Sequence, residues 1–221
     1  MNGPVVQKEY SWVIIFHVKR WALYDDLHGK GMSKTDKSKA TVGGSEVSQS
    51  LNVATEEQMK AFNLENHLIQ FMFSEPFYAN ILRHLTKVED TTGGKFCPTV
   101  GVRANPERLS FEMVWNREWL ASHSNNIIKG LFIHECLHLV FEHTTKRAME
   151  PHQVHNWAAD LAINSMIPRD MLPDGGFIAG EAFKPISQAA RQKMDPERIA
   201  RYERLSQFVS QLPSHKSTEW Y

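Results

Sequence analysis

Cysteine is scarce in this chain. Only Cys97 and Cys136 occur among 221 residues, and Cys136 sits inside an apolar run. No disulfide framework is available, which argues for a reducing, cytoplasmic setting. Net charge is lacking too: 25 basic and 25 acidic side chains cancel. The chain has no electrostatic footprint for nucleic acid or for an anionic membrane surface. Long hydrophobic runs are missing as well. The strongest near the start, residues 12–18 (W-V-I-I-F-H-V), is too short to span a bilayer and runs directly into Lys19-Arg20. The basic start, longer apolar core and small-residue cleavage site of a secretory signal are not found there. A soluble, intracellular protein with no membrane partner is the expectation.

Residues 29–50 hold five Ser, four Gly, four Lys and no aromatic residue. Such a segment buries too little apolar area to offset the entropy of ordering it. It predicts a flexible linker over 29–54 that separates an N-terminal arm, residues 1–28, from a globular part over 55–212. Met32, opening the linker, is a candidate natural start. In the globular part, Thr55 with Gln58 reads as a capped helix start, and apolar residues then recur at helical spacing to Phe73. A short helix follows Pro76. Strands are expected over 99–102 and 109–115, the second from the alternation of Leu109, Phe111, Met113 and Trp115. Helices are expected over 124–144, 154–167 and 196–212, the last with Asp195 as cap and Pro196 in its first turn. Residues 213–221 read as a frayed tail.

The chemistry is concentrated in His134-Glu135-Cys136-Leu137-His138. Two His at i and i+4 lie about 40° apart around a helix, so both imidazoles can share one metal ion. With zinc held by two His and one further ligand, a water becomes acidic enough to attack near neutral pH. Glu135 is placed to act as the general base that takes its proton. The surrounding stretch, I-I-K-G-L-F-I-H-E-C-L-H-L-V-F, is apolar nearly all round and predicts a buried helix. Buried imidazoles and a buried carboxylate need partners, and a metal satisfies them together. The bland alternative is a pair of core histidines bonded to backbone, with Glu135 on a solvated edge.

Two residues compete for the third ligand. His143 lies five residues beyond His138 and, on a continuing helix, points about 140° away. It returns only if the helix stops near Phe141, and no Gly is there to ease the turn. Asp160 is the other candidate. Asn156, Asp160 and Asn164 form a polar stripe at i, i+4 and i+8 on an otherwise apolar helix. Asp160 suits a ligand or an orienting carboxylate, and Asn156 and Asn164 suit a supporting layer of hydrogen bonds. His123, His152 and His155 read as surface histidines.

These residues resemble a bacterial and phage metallopeptidase-domain family that commonly precedes a VWA-like domain. That family carries H-E-x-x-H-x-x-x-x-H, matched by His134, Glu135, His138 and His143, then W-N-x-A-A-D-x-x-[VI]-N. The second motif is matched by Trp157, Ala159, Asp160 and Asn164, with its Trp-Asn order reversed as Asn156-Trp157. Residues 73–85 and 195–205 also resemble family segments. The resemblance implies an α+β, zincin-like fold that is mostly helical with a small sheet, and zinc-dependent hydrolysis of peptide bonds. Its implied partners are a peptide or protein substrate and a separate VWA-like or other recruiting protein. A zinc-stabilised binding or assembly module without catalysis, and hydrolysis of a non-peptide amide, are the alternatives. The strand over 109–115 is the expected edge for an extended substrate.

Overall fold

The computed structural model describes residues 12–14, for their backbone, and residues 54–221. The expected linker and most of the arm lie outside the described residues. A four-stranded sheet is built from β1 (Trp12–Ile14), β2 (Thr86–Glu89), β3 (Val100–Asn105) and β4 (Ser110–Trp115), in the order β1-β3-β4-β2. The β3–β4 hairpin runs antiparallel from Val100↔Trp115 to Asn105↔Ser110. Asn105 shapes its turn, with Oδ1 accepting from the N–H groups of Glu107 and Arg108, both at 3.1 Å. Leu109 takes a positive φ of 48° there, so the strand begins one residue later than its alternation suggests. β2 joins β4 in parallel and β1 joins β3 antiparallel. β4 therefore lies inside the sheet, flanked on both sides. Its expected role as an edge for substrate is thereby corrected.

The helices follow local signals closely. In α1 (Glu56–Ala61), Thr55 and Gln58 form the reciprocal capping box that their spacing suggests. The apolar run does not continue as one helix. Phe62 turns extended, and Asn63 caps a new helix, α2 (Leu64–Ser74), by accepting from the Asn66 N–H at 3.1 Å. Pro76 opens α3 (Pro76–Leu82), and Asn116 caps α4 (Arg117–Ala121). Arg117 then clamps three elements. Its guanidinium makes paired bonds of 2.7 and 2.8 Å to Glu89 at the end of β2, and a third of 2.9 Å to the Phe62 carbonyl.

Two helices carry the polar motif residues. Ser124 caps α5 (Asn125–Val140), and α6 (His152–Asn164) lies beyond a turn. The chain closes with α7 (Gln188–Lys193) and α8 (Pro196–Ser210), the latter capped by Asp195. One apolar cluster fills the space between the sheet and α2, α3 and α5, with Phe71, Leu82, Val102, Met113, Leu131 and Phe132 at its centre. A second joins α6 to α8 through Leu161, Phe177, Phe183, Tyr202 and Val209. None of the described helices is long and apolar enough to cross a membrane.

The course of α5 depends on Gly130. A Cβ built there would stand 2.0 Å from the Met171 carbonyl oxygen, in the 3-10 turn Arg169–Met171. Backbone meets backbone at this crossing, so no rotamer change relieves the clash. Ala normally favours a helix interior over Gly by about 1 kcal/mol. Here the sign reverses: Gly130→Ala is expected to destabilise by roughly 3 kcal/mol through overpacking. That corresponds to about 6–12 °C in a chain of this size, read by calorimetry. An unchanged or raised melting temperature contradicts this packing.

Candidate metal centre

The apolar character of α5 buries His134, Glu135 and His138 between the sheet and α6, and each is 1% exposed or less. Asp160 and Asn164 of α6 meet them, and Asn156 on the same stripe is buried as well. His134 Nε2 and His138 Nε2 stand 2.8 Å apart. Asp160 Oδ1 lies 3.4 Å from the first and 3.3 Å from the second. The three donor atoms fall within 4.8 Å of one another, a group able to hold one metal ion.

Hydrogen bonds behind the imidazoles set which nitrogen carries the proton. Asn164 donates from Nδ2 to the Phe177 carbonyl at 2.7 Å, which fixes its Oδ1 as the acceptor opposite His134 Nδ1 at 2.8 Å. His134 Nδ1 therefore carries the hydrogen, and the lone pair of Nε2 faces Asp160 and His138. On the far side, His138 Nδ1 lies 3.2 Å from His143 Nδ1, and His143 Nε2 lies 3.0 Å from the Thr218 hydroxyl. With N–H groups directed outward along this chain, His138 also presents a lone pair at Nε2. Two Nε2 atoms and a carboxylate oxygen then face one another in a dry space, an arrangement that a bound cation or a shared proton relieves.

His143 does return to the site. The helix stops after Val140, and Glu142 supplies the left-handed turn, at φ 58°, in place of the missing Gly. The His143 N–H then bonds back to the His138 carbonyl at 2.9 Å. That turn carries the His143 ring to Nδ1 of His138, on the side away from Asp160. His143 packs behind His138 and lies outside the three-donor group. His155 is buried, contrary to the expectation of a surface residue, and its Nε2 lies 3.4 Å from the His143 carbonyl. His123 and His152 are partly buried. The C-terminal tail also departs from the frayed expectation. Thr218 is buried against His143, and Arg147 Nε bonds Glu219 at 2.9 Å. No local sequence signal marks Thr218, because its partner lies 75 residues away.

Electrostatics follow from burial and from this pairing. Burial and its neighbours push His138 down to about 4 and His143 to about 3, so both are neutral imidazoles at pH 7. Burial also depresses His134, but the bonds and charge of Asp160 outweigh it and hold its pKa above the usual value. Burial raises Asp160, yet the two His hold it below the ordinary carboxylate range. Glu135 is lifted to about 8, mainly by burial, with His134 opposing and Asp160 adding to the rise. Neither Glu135 oxygen has a partner in full hydrogen-bond geometry, although the Val102 N–H of β3 lies near enough to favour the ionised form. Cys136, one residue on, is pushed up to about 12 by burial and is inert as a nucleophile.

A small sheet backed by helices defines an α+β domain, with a buried His-His-Asp group that could hold a metal ion between two of the helices. The profile of a family described as "Putative metallopeptidase domain" matches residues 73–210, and the chain belongs to that family. No curated protein and no solved structure matches the chain.

Two outcomes are expected from this geometry. Elemental analysis should find one metal ion per chain, lost in His138→Ala and in Asp160→Ala. His143→Ala should keep it with affinity lowered about 10- to 100-fold, the usual cost of removing a supporting bond. Loss of the metal in His143→Ala with retention in Asp160→Ala would reverse the two assignments. Second, Asp160 holds the His134 pKa above its usual value, so a proton and the ion compete for its Nε2. Zinc affinity should therefore climb as pH rises through that pKa. Titration calorimetry in buffers of different ionisation enthalpy should show more proton release per ion at pH 6 than at pH 9; equal release at both contradicts the raised His134.

Proposed function

We propose that the protein is a zinc-dependent metallopeptidase of zincin-like fold, with His134, His138 and Asp160 as the ligands and Glu135 as the general base. The observation that carries this reading is His134 Nε2, set facing inward by the Asn164 bond at Nδ1, converging with His138 Nε2 on Asp160 Oδ1. Two imidazoles and a carboxylate suit zinc best among common divalent ions. Three protein ligands also suit catalysis, because structural zinc sites close with four. When bound, zinc supplies a Lewis acid that polarises a scissile carbonyl and acidifies a water.

The remaining work falls to residues of the chain. Asn164 and the His143–Thr218 pair hold the two imidazoles in one tautomer, so neither must reorganise during turnover. Asp160 balances charge between them. Glu135, adjacent to His134 on α5, has no strong partner of its own and is free to hold a proton at a carboxylate oxygen. Its carboxyl, lifted to about 8 by burial, would ionise more readily with a cation held by His134, His138 and Asp160. It then accepts the proton of the attacking water and returns it to the leaving amine. The substrate is a peptide or protein.

The near-complete burial of the site favours a second reading, a zinc-stabilised assembly module without turnover. Glu135→Gln separates the two. On the peptidase reading the variant keeps its zinc and loses at least about 100-fold in casein hydrolysis, the scale of general acid–base catalysis. Zinc-loaded wild type without hydrolysis, together with an unchanged variant, would establish the assembly module instead.

A further inference from the structure

Among residues 213–221 only Thr218 is buried, and its neighbours Ser217, Glu219 and Trp220 are exposed. A polar side chain sunk from an exposed segment needs a partner inside. For Thr218 that partner is His143 Nε2, 3.0 Å from its hydroxyl, and His143 Nδ1 lies in turn 3.2 Å from His138 Nδ1. His138 offers one of the three candidate donor atoms. Thr218 thus ends a line of three side chains that starts at the metal centre, and it does so from beyond residues 73–210, the stretch matched to the family. The segment is held at two further points. Glu219 pairs with Arg147 of the turn that carries His143, and Tyr221 packs against the apolar cluster joining α6 to α8. The N–H groups of Trp220 and Tyr221 both donate to the Ser217 carbonyl, at 3.1 and 3.3 Å, closing a turn around Thr218.

Hydrogen accounting gives this line a direction. A His138 that offers its Nε2 lone pair to an ion carries its hydrogen on Nδ1. His143 Nδ1 must then accept, which leaves the His143 hydrogen on Nε2 and the Thr218 oxygen as its acceptor. Positive charge at His138 Nε2 makes each N–H along the line a stronger donor. The bond to Thr218 is therefore stronger with the site filled than with it empty. His143 is itself 1% exposed, so bulk solvent does not replace Thr218. We infer that Thr218 is a positioning residue for His138, and that it couples the C-terminal segment to the metal centre. An ion in the site tightens the docked segment, and the docked segment tightens the ion. Such coupling is reciprocal, so both effects share one factor. A single buried hydrogen bond sets that factor at about tenfold. The inference rests on the metal ligands proposed above and not on turnover.

The test titrates the full chain with zinc against a competing chelator and follows amide hydrogen exchange at Trp220 and Tyr221. Thr218→Val replaces the hydroxyl with a methyl group, and Thr218→Ser keeps the hydroxyl. Thr218→Val should weaken zinc binding about tenfold, while Thr218→Ser stays within about twofold of the wild type. In the wild type, zinc should slow exchange at Trp220 and Tyr221 by about the same tenfold, and in Thr218→Val it should leave both amides unchanged. Zinc affinity in Thr218→Val within about twofold of the wild type, or an equal loss in both variants, overturns the proposal. Wild-type exchange that zinc does not alter overturns it too. A wild type that binds no zinc removes the metal centre along with the coupling. Tight zinc and intact coupling without casein hydrolysis keep the coupling and remove the peptidase reading alone. If Thr218→Val fails to fold, the zinc effect on wild-type exchange decides.

Discussion

Two imidazole nitrogens held 2.8 Å apart with a carboxylate oxygen across from them set the terms for the rest of this structure. In an apolar interior such a group is costly unless a cation sits among its members. Much of the surrounding architecture keeps the three atoms where they are. α5 is pinned at Gly130 against the Arg169–Met171 turn, which fixes its height along the sheet. α6 is tied to α8 by the second apolar cluster, and Asn164 links His134 to the Phe177 backbone. Each imidazole is held from behind by a different part of the chain. The geometry is preorganised, with the entropic cost of arranging the donors met during folding rather than during ion binding.

The pairing of α5 with α6 was legible because both helices violate their own surroundings. His134, Glu135 and His138 break an otherwise apolar helix at a spacing that shares one face, and Asn156, Asp160 and Asn164 do the same on the next. Polar stripes on buried helices can only face each other or a ligand. Helix boundaries followed caps faithfully at Thr55, Pro76, Ser124 and Asp195. What stayed hidden depends on contacts distant in sequence or on unusual backbone. The return of His143 needed a left-handed Glu142, a conformation that Gly would have advertised and Glu does not. Thr218 had no local pattern at all. β4 read correctly as a strand, yet alternation says nothing about which strands flank it, and its interior position came from β2 pairing in parallel.

Depth and access pull against each other at this centre. Burial keeps His138 and His143 neutral and strengthens each charge interaction around Asp160. Burial also leaves Glu135 without a strong partner, which suits a base and offers nothing to stability. The elements that could yield to admit a substrate differ greatly in what holds them. Moving α5 or α6 would break the Gly130 crossing, the Asn164 bridge and an apolar cluster together. Local opening is governed by the weakest cooperative unit, and low-stability elements are where binding sites find their motion. The three donors thus lie in the part of the fold least able to move, and any opening at this centre has to come from elements other than α5 and α6.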